Sequence, residues 1–130
     1  MTSLPTRTIP LTGASNFRDL GGYVGADGRA LRWRTLFRSD HLAGLTAQDQ
    51  ALLLDLGLAQ VLDLRMETER LAAPNRLPAG VAQQALPITP WVLRQMHALH
   101  STGHIPTPDD ALALMRQTYR TFVTEEAATL

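Results

Sequence analysis

A chain of 130 residues has room for one domain, since domains average about 150 residues. Twelve Arg, no Lys and twelve acids leave no net charge, which excludes the basic excess of a general nucleic-acid binder. Cysteine is absent, which excludes disulfides, thiolate-bound zinc, iron–sulfur clusters and a thiol nucleophile on these residues.

The first readable element is a hairpin. Gly22-Tyr23-Val24 and Ala30-Leu31-Arg32-Trp33 flank Ala26-Asp27-Gly28-Arg29, and Asp-Gly supplies the positive-φ position that a tight turn needs. Gly21-Gly22 before it permits a sharp turn or a close backbone approach. Leu36-Phe37-Arg38 reads as a further short strand. A helix follows, capped by Thr46 with Asp49 three residues on, burying Leu45, Leu52, Leu53 and Leu56 and stopped by Gly57. Residues 58–65 read as a strand with Asp63 and Arg65 at its C-terminal end, where ligands sit in open α/β sheets. Helix, glycine and apolar strand in succession is the repeating unit of an α/β sheet.

Residues 66–90 are mixed and carry four prolines, with Val81 to Leu86 as a candidate strand. Trp91 to His100 reads as a helix with Val92, Met96 and Leu99 on one face, ended by Ser101-Thr102-Gly103. Thr107-Pro108-Asp109-Asp110 is a helix start, and Leu112, Met115, Tyr119, Phe122 and Val123 then line one face. That helix shows no stop signal: residues 121–130 hold no Gly, Pro or cation, and Glu125 and Glu126 stand near the negative end of the dipole. The expectation is a chain cut inside an element, the other reading being a fraying end.

Charge is unevenly spread. Residues 1–38 carry six Arg against two acids, a segment of +4, and the rest of the chain is −4. Coding bias toward Arg explains this, or a few of these guanidiniums face an anionic ligand. Apolar content of 45% excludes a wholly disordered chain, and no apolar run approaches the ~20 residues of a membrane span. The opening residues lack the apolar stretch of a signal peptide, so a cytoplasmic location is expected.

The run Asn16-Phe17-Arg18-Asp19-Leu20-Gly21-Gly22-Tyr23 resembles the opening of the tyrosine-phosphatase-like family of bacterial and fungal protein-tyrosine and phosphoinositide phosphatases. Leu36-Phe37-Arg38-Ser39-Asp40, Leu42 to Leu45, the capped helix, Val61-Leu62-Asp63-Leu64-Arg65, and Glu69 followed by Pro74 are similar in the same order. The resemblance covers residues 7–90 well and 107–130 loosely. It implies an α/β fold, a central sheet flanked by helices, of which this chain is the N-terminal part of a cysteine-dependent phosphatase. In that family the chemistry sits in a later Cys-x5-Arg loop. Backbone amides and the Arg hold the phosphate, the thiolate attacks phosphorus, and an Asp protonates the leaving oxygen. This chain has no such loop, so residues 1–130 are expected to form a single incomplete phosphatase-like domain without catalytic residues of its own, inactive alone. No metal or cofactor is expected. The substrate of the complete enzyme is a phosphorylated protein or a phosphoinositide, with no nucleic-acid partner and no membrane span.

The candidate phosphate-pocket or supporting residues are Arg18, Asp19, Arg38, Ser39, Asp63 and Arg65. Arg18 and Asp19, next to two glycines, either line the pocket or form an ion pair pinning the N-terminal turn. Arg38, with Ser39 and Asp40, reaches an anion or pairs with Asp63. Asp63 at the strand end orients a neighbouring Arg rather than transferring protons, and Glu69 pairs with Arg65 if the chain turns helical there. His97, His100 and His104 have helical spacing for a metal site, but Gly103 interrupts and no carboxylate is near; a solvated lid face over residues 88–106 is the plainer reading. Two other functions stay open. One is a non-catalytic phosphate-binding module. The other is a shortened product without function, whose exposed apolar strand and helix surface would favour aggregation.

Overall fold

The computed structural model describes residues 5–88, 95, 96, 98, 101, 103 and 107–127. Its elements are mixed α/β, in the order β1 (Arg18–Asp19), β2 (Phe37–Arg38), α1 (Ala47–Asp55), β3 (Gln60–Asp63), α2 (Glu67–Ala72), β4 (Ala82–Ala85) and α3 (Pro108–Thr124). They divide into two compact units, residues 1–61 with 68–83, and residues 62–67 with 84–130.

In the first unit β1 and β2 pair antiparallel, with Arg18 opposite Arg38 and Asp19 opposite Phe37. A bridge between Thr8 and Arg18 adds a third extended segment. Strand alternation sends Phe17 and Asp19 inward and Arg18 outward. Phe17 and Phe37 stack with ring centroids 5.4 Å apart. The expected hairpin forms as a single bridge, Val24 to Ala30, closed by Gly25 N donating to Arg29 O, with Gly28 at φ 76°.

The α1 helix begins as its sequence dictates. Thr46 accepts from the Asp49 amide and Asp49 accepts from the Thr46 amide, a reciprocal box. Gly57, at φ 74°, ends it in the left-handed conformation. The helix buries Leu53, which with Phe17, Leu42 and Leu45 makes the core; Ile9, Leu11, Leu56, Leu58 and Val61 pack against it. Each fully buried Leu contributes about 1.5–3 kcal/mol. Asn75 Oδ1 accepts from the Leu42 amide, and the Gln50 side chain donates to Arg76 O, so the segment after α2 is tied to this core.

The strand expected over residues 58–65 is shorter. Leu58 N donates to Leu53 O in closing the helix, so pairing starts at Gln60. Ala82 N donates to Ala59 O and Leu86 N to Asp63 O, so β3 and β4 run parallel with α2 in the crossover. Parallel sheets are ordinarily covered on both faces, yet all four residues of β4 are exposed, as are Leu62 and Leu64.

In the second unit α3 starts with a second reciprocal cap, Thr107 with Asp110, and Pro108 in its first turn. The expected apolar stripe is turned outward: Leu112, Met115, Tyr119 and Val123 are exposed, and the buried residues are Thr118 and Thr121. Those hydroxyls donate to Leu114 O and Gln117 O, 2.8 and 2.9 Å. Their hydrogen-bonding capacity is spent within the helix, so that face desolvates without an orphaned donor. Residues 95, 96 and 98 are helical as expected, and Ser101, expected to end the helix, is helical too; Trp91 and most of the proposed lid lie outside the described residues. No helix among the described residues is long and apolar enough to cross a membrane.

Candidate functional site

The Asn-Phe-Arg-Asp-Leu-Gly-Gly run folds into a brace. Asn16 takes φ 62°, a left-handed conformation Asn tolerates, and turns the chain into β1. Asp19 then points inward, where its Oδ1 accepts from the Gly21 amide at 2.7 Å and its Oδ2 from the Arg34 amide at 2.8 Å. Arg34 holds φ 57°, strained for a side-chain-bearing residue, and that amide bond helps hold it there. Gly21 and Gly22 lie flat against Trp33: a Cβ on Gly21 would come within 2.5 Å of the Trp33 Cα. Arg7 donates to Asp19 O at 2.8 Å and stacks its guanidinium over Tyr23, 4.0 Å from the ring centroid. The ion pair between Arg18 and Asp19 considered from sequence does not form. Adjacent residues on a strand face opposite ways, so Asp19 takes backbone amides and Arg18 stays outside, donating only to Asn16 O at 3.3 Å.

Arg38 lies on the same outward face as Arg18 and is exposed; among the described residues its side chain makes no ion pair or hydrogen bond. Ser39 donates to Ser15 O at 3.3 Å, and Asp40 accepts from the Ser15 amide at 2.9 Å, so these two hold the turn before Asn16. Arg18, Asp19, Arg38 and Ser39 thus come together in the first unit.

Asp63 and Arg65 come together in the second. Asp63 is 95% shielded from solvent at the end of β3. Arg65 reaches back across both carboxylate oxygens, Nε to Oδ1 at 3.0 Å and Nη2 to Oδ2 at 2.8 Å, and its amide also donates to Oδ1. This is a bidentate, charge-assisted pair that fixes the guanidinium plane. The chain does turn helical after it, with α2 beginning at Glu67.

Two residues carry more than sequence reasoning assigned. Asp49 is more than a cap: it also accepts from the Thr12 and Gly13 amides at 2.8 and 2.9 Å, and these bonds, the Thr46 amide foremost, pull its carboxyl down to a pKa of about 2. Arg7, counted only in the charge balance, closes the aromatic clasp. Neither role has a local signal, since each partner is twelve or more residues away. An open depression of about 520 Å³ runs beside the hairpin, lined by Tyr23, Val24, Asp27, Arg29, Leu31 and Arg32. Arg29 is already paired with Asp27 there, so few polar groups converge on it. Among the described residues no three His, Asp or Glu side chains could hold a metal; His97, His100 and His104 lie outside them.

A model of the tyrosine phosphatase family matches residues 9–130. This chain belongs to the tyrosine phosphatase family. A Cupriavidus necator protein named "Putative tyrosine-protein phosphatase" is 46% identical over 56 residues, 43% of this chain. The match spans 20% of that protein's length.

Proposed function

We propose that these residues form the N-terminal scaffold of a phosphoric monoester hydrolase, a protein-tyrosine or dual-specificity phosphatase. The observation that carries this reading is the Asp63–Arg65 pair at the C-terminal end of β3, in a chain of this family, at the edge where α/β sheets bind ligands. In this reading Asp63 orients Arg65 toward the phosphate pocket and does not transfer protons. Arg18, Asp19, Arg38 and Ser39 support the first unit, in which they come together. The thiolate that attacks phosphorus is not supplied by these 130 residues, which hold no cysteine; it belongs to a Cys-x5-Arg loop outside them. That loop's amides and Arg hold the phosphate, and its Asp protonates the leaving oxygen. The substrate is a phosphorylated protein or a phosphoinositide, and the working location is the cytoplasm.

The test is turnover of a generic aryl phosphate. A protein joining these residues to the cysteine loop hydrolyses it with vanadate-sensitive saturation kinetics, and the 130-residue chain alone does not. A coding sequence that continues without such a loop overturns the reading.

A second reading, a non-catalytic phosphate-binding module, draws on the +4 segment of residues 1–38. It requires salt-dependent binding of a phosphopeptide by the 130-residue chain without hydrolysis by any longer form.

A further inference from the structure

The antiparallel register of β1 and β2 sets two arginines, Arg18 and Arg38, directly opposite each other on one face. Opposed residues on one sheet face carry their Cβ atoms about 5 Å apart, and like charges so placed repel. A carboxylate commonly relieves such a pair, yet among the described residues none does so here. Among the described residues the Arg18 side chain donates only to a backbone carbonyl, Asn16 O. The Arg38 side chain makes no hydrogen bond or ion pair among the described residues. The nearest acid in sequence, Asp40, accepts from the Ser15 amide and the Ser39 hydroxyl. On the far side of Arg18 the register places Thr8, exposed, with a hydroxyl free to donate. The outward row across the three extended segments is therefore Thr8, Arg18, Arg38: donors at every position and no acid. Two other cations of this unit are engaged, Arg7 on Tyr23 and Asp19 O and Arg29 on Asp27. The strands beneath the row are held by Asp19 and by the Phe17–Phe37 stack, so the two arginines are carried on a fixed base.

We infer that the Thr8–Arg18–Arg38 row is a binding site for a phosphate dianion, taken either free or as a phosphomonoester group. Two planar guanidiniums on neighbouring strands match the several oxygens of one phosphate, and the bound dianion removes the repulsion that the empty row carries. The inference deepens the proposed function and rests on it for the chemistry of the ligand. Binding by this row and turnover by a cysteine-bearing protein are read separately, so either can fail alone.

The experiment is calorimetric titration of the protein with inorganic phosphate at a constant ionic strength of about 0.15 M, with chloride and acetate as controls. Saturable phosphate binding is expected, weakened about tenfold in Arg18→Gln and in Arg38→Gln and unchanged in Arg29→Gln. Because the Arg38 side chain makes no bond among the described residues, Arg38→Gln melts no lower than the parent in phosphate-free buffer, and phosphate raises the Tm of the parent alone. O-phosphotyrosine and an inositol monophosphate, titrated in parallel, separate the two sources: both bind through Arg38 if the phosphate group alone is read. Absence of saturable binding overturns the inference, as does an equal loss in Arg29→Gln.

Discussion

Arg65 folds back two residues to lie across both carboxylate oxygens of Asp63, and the Asp63 side chain is 3% exposed against 18% for Arg65. The carboxylate is the buried anchor and the guanidinium is the group that reaches the edge of the unit. Removing the anchor takes the bidentate carboxylate away from a largely buried cation. Asp63→Asn should therefore cost about 3 kcal/mol in urea unfolding. Arg65→Lys, which keeps the charge but loses the paired geometry, should cost about 1 kcal/mol. Equal losses in the two variants would contradict this division of labour.

Asp49 makes stability depend on acid. Its folded pKa of about 2 lies below the ordinary 3.8, so the ionised form is favoured by folding. The contribution is fully present above the unfolded value and is lost as the pH falls through the folded one, a window from about pH 4 down to about pH 2. Urea midpoints of the wild type should fall across that window. Asp49→Asn should start lower at neutral pH and show a flatter acid limb.

Gly13 and Gly44 meet backbone to backbone. A Cβ on Gly13 would stand 1.7 Å from Gly44 O, which neither segment can accommodate without moving. Gly57 has open space around it but holds φ 74°. Gly13→Ala should cost about 3 kcal/mol or more by thermal or chemical unfolding, and Gly57→Ala about 1 kcal/mol from conformational strain alone.

The outward stripe of α3 gives the opposite expectation. Met115→Gln should change stability by less than about 0.5 kcal/mol while raising solubility, because Met115 is half-exposed. Leu53→Ala, at a fully buried site, should cost about 2–5 kcal/mol. Comparable losses at the two positions would show that the stripe is covered in solution.

What could be read from the sequence was local. Both capping boxes, the Gly57 stop and the place of Asp63 and Arg65 at a strand end follow from residues three or four positions apart, where chain geometry leaves few choices. The orientation of α3 was not readable, because Thr118 and Thr121 look polar until their hydroxyls are seen bonded within the helix. Arg18 and Asp19 were adjacent in sequence and so looked like partners, whereas a strand separates neighbours onto opposite faces. The opposition of Arg18 and Arg38 and the grip of Asp49 on Thr12 and Gly13 depend on register and on contacts across tens of residues. No periodicity encodes those.

The Asp49 carboxylate draws on Thr12 and Gly13 as well as on its own helix. Trimming the polypeptide back to Ala14 would strip two amides from an anion shielded from water, at the start of the helix that carries Leu53. The stretch ahead of the first strand is thus a working part of the fold, and a shortened version of this protein should keep its boundary upstream of Thr12.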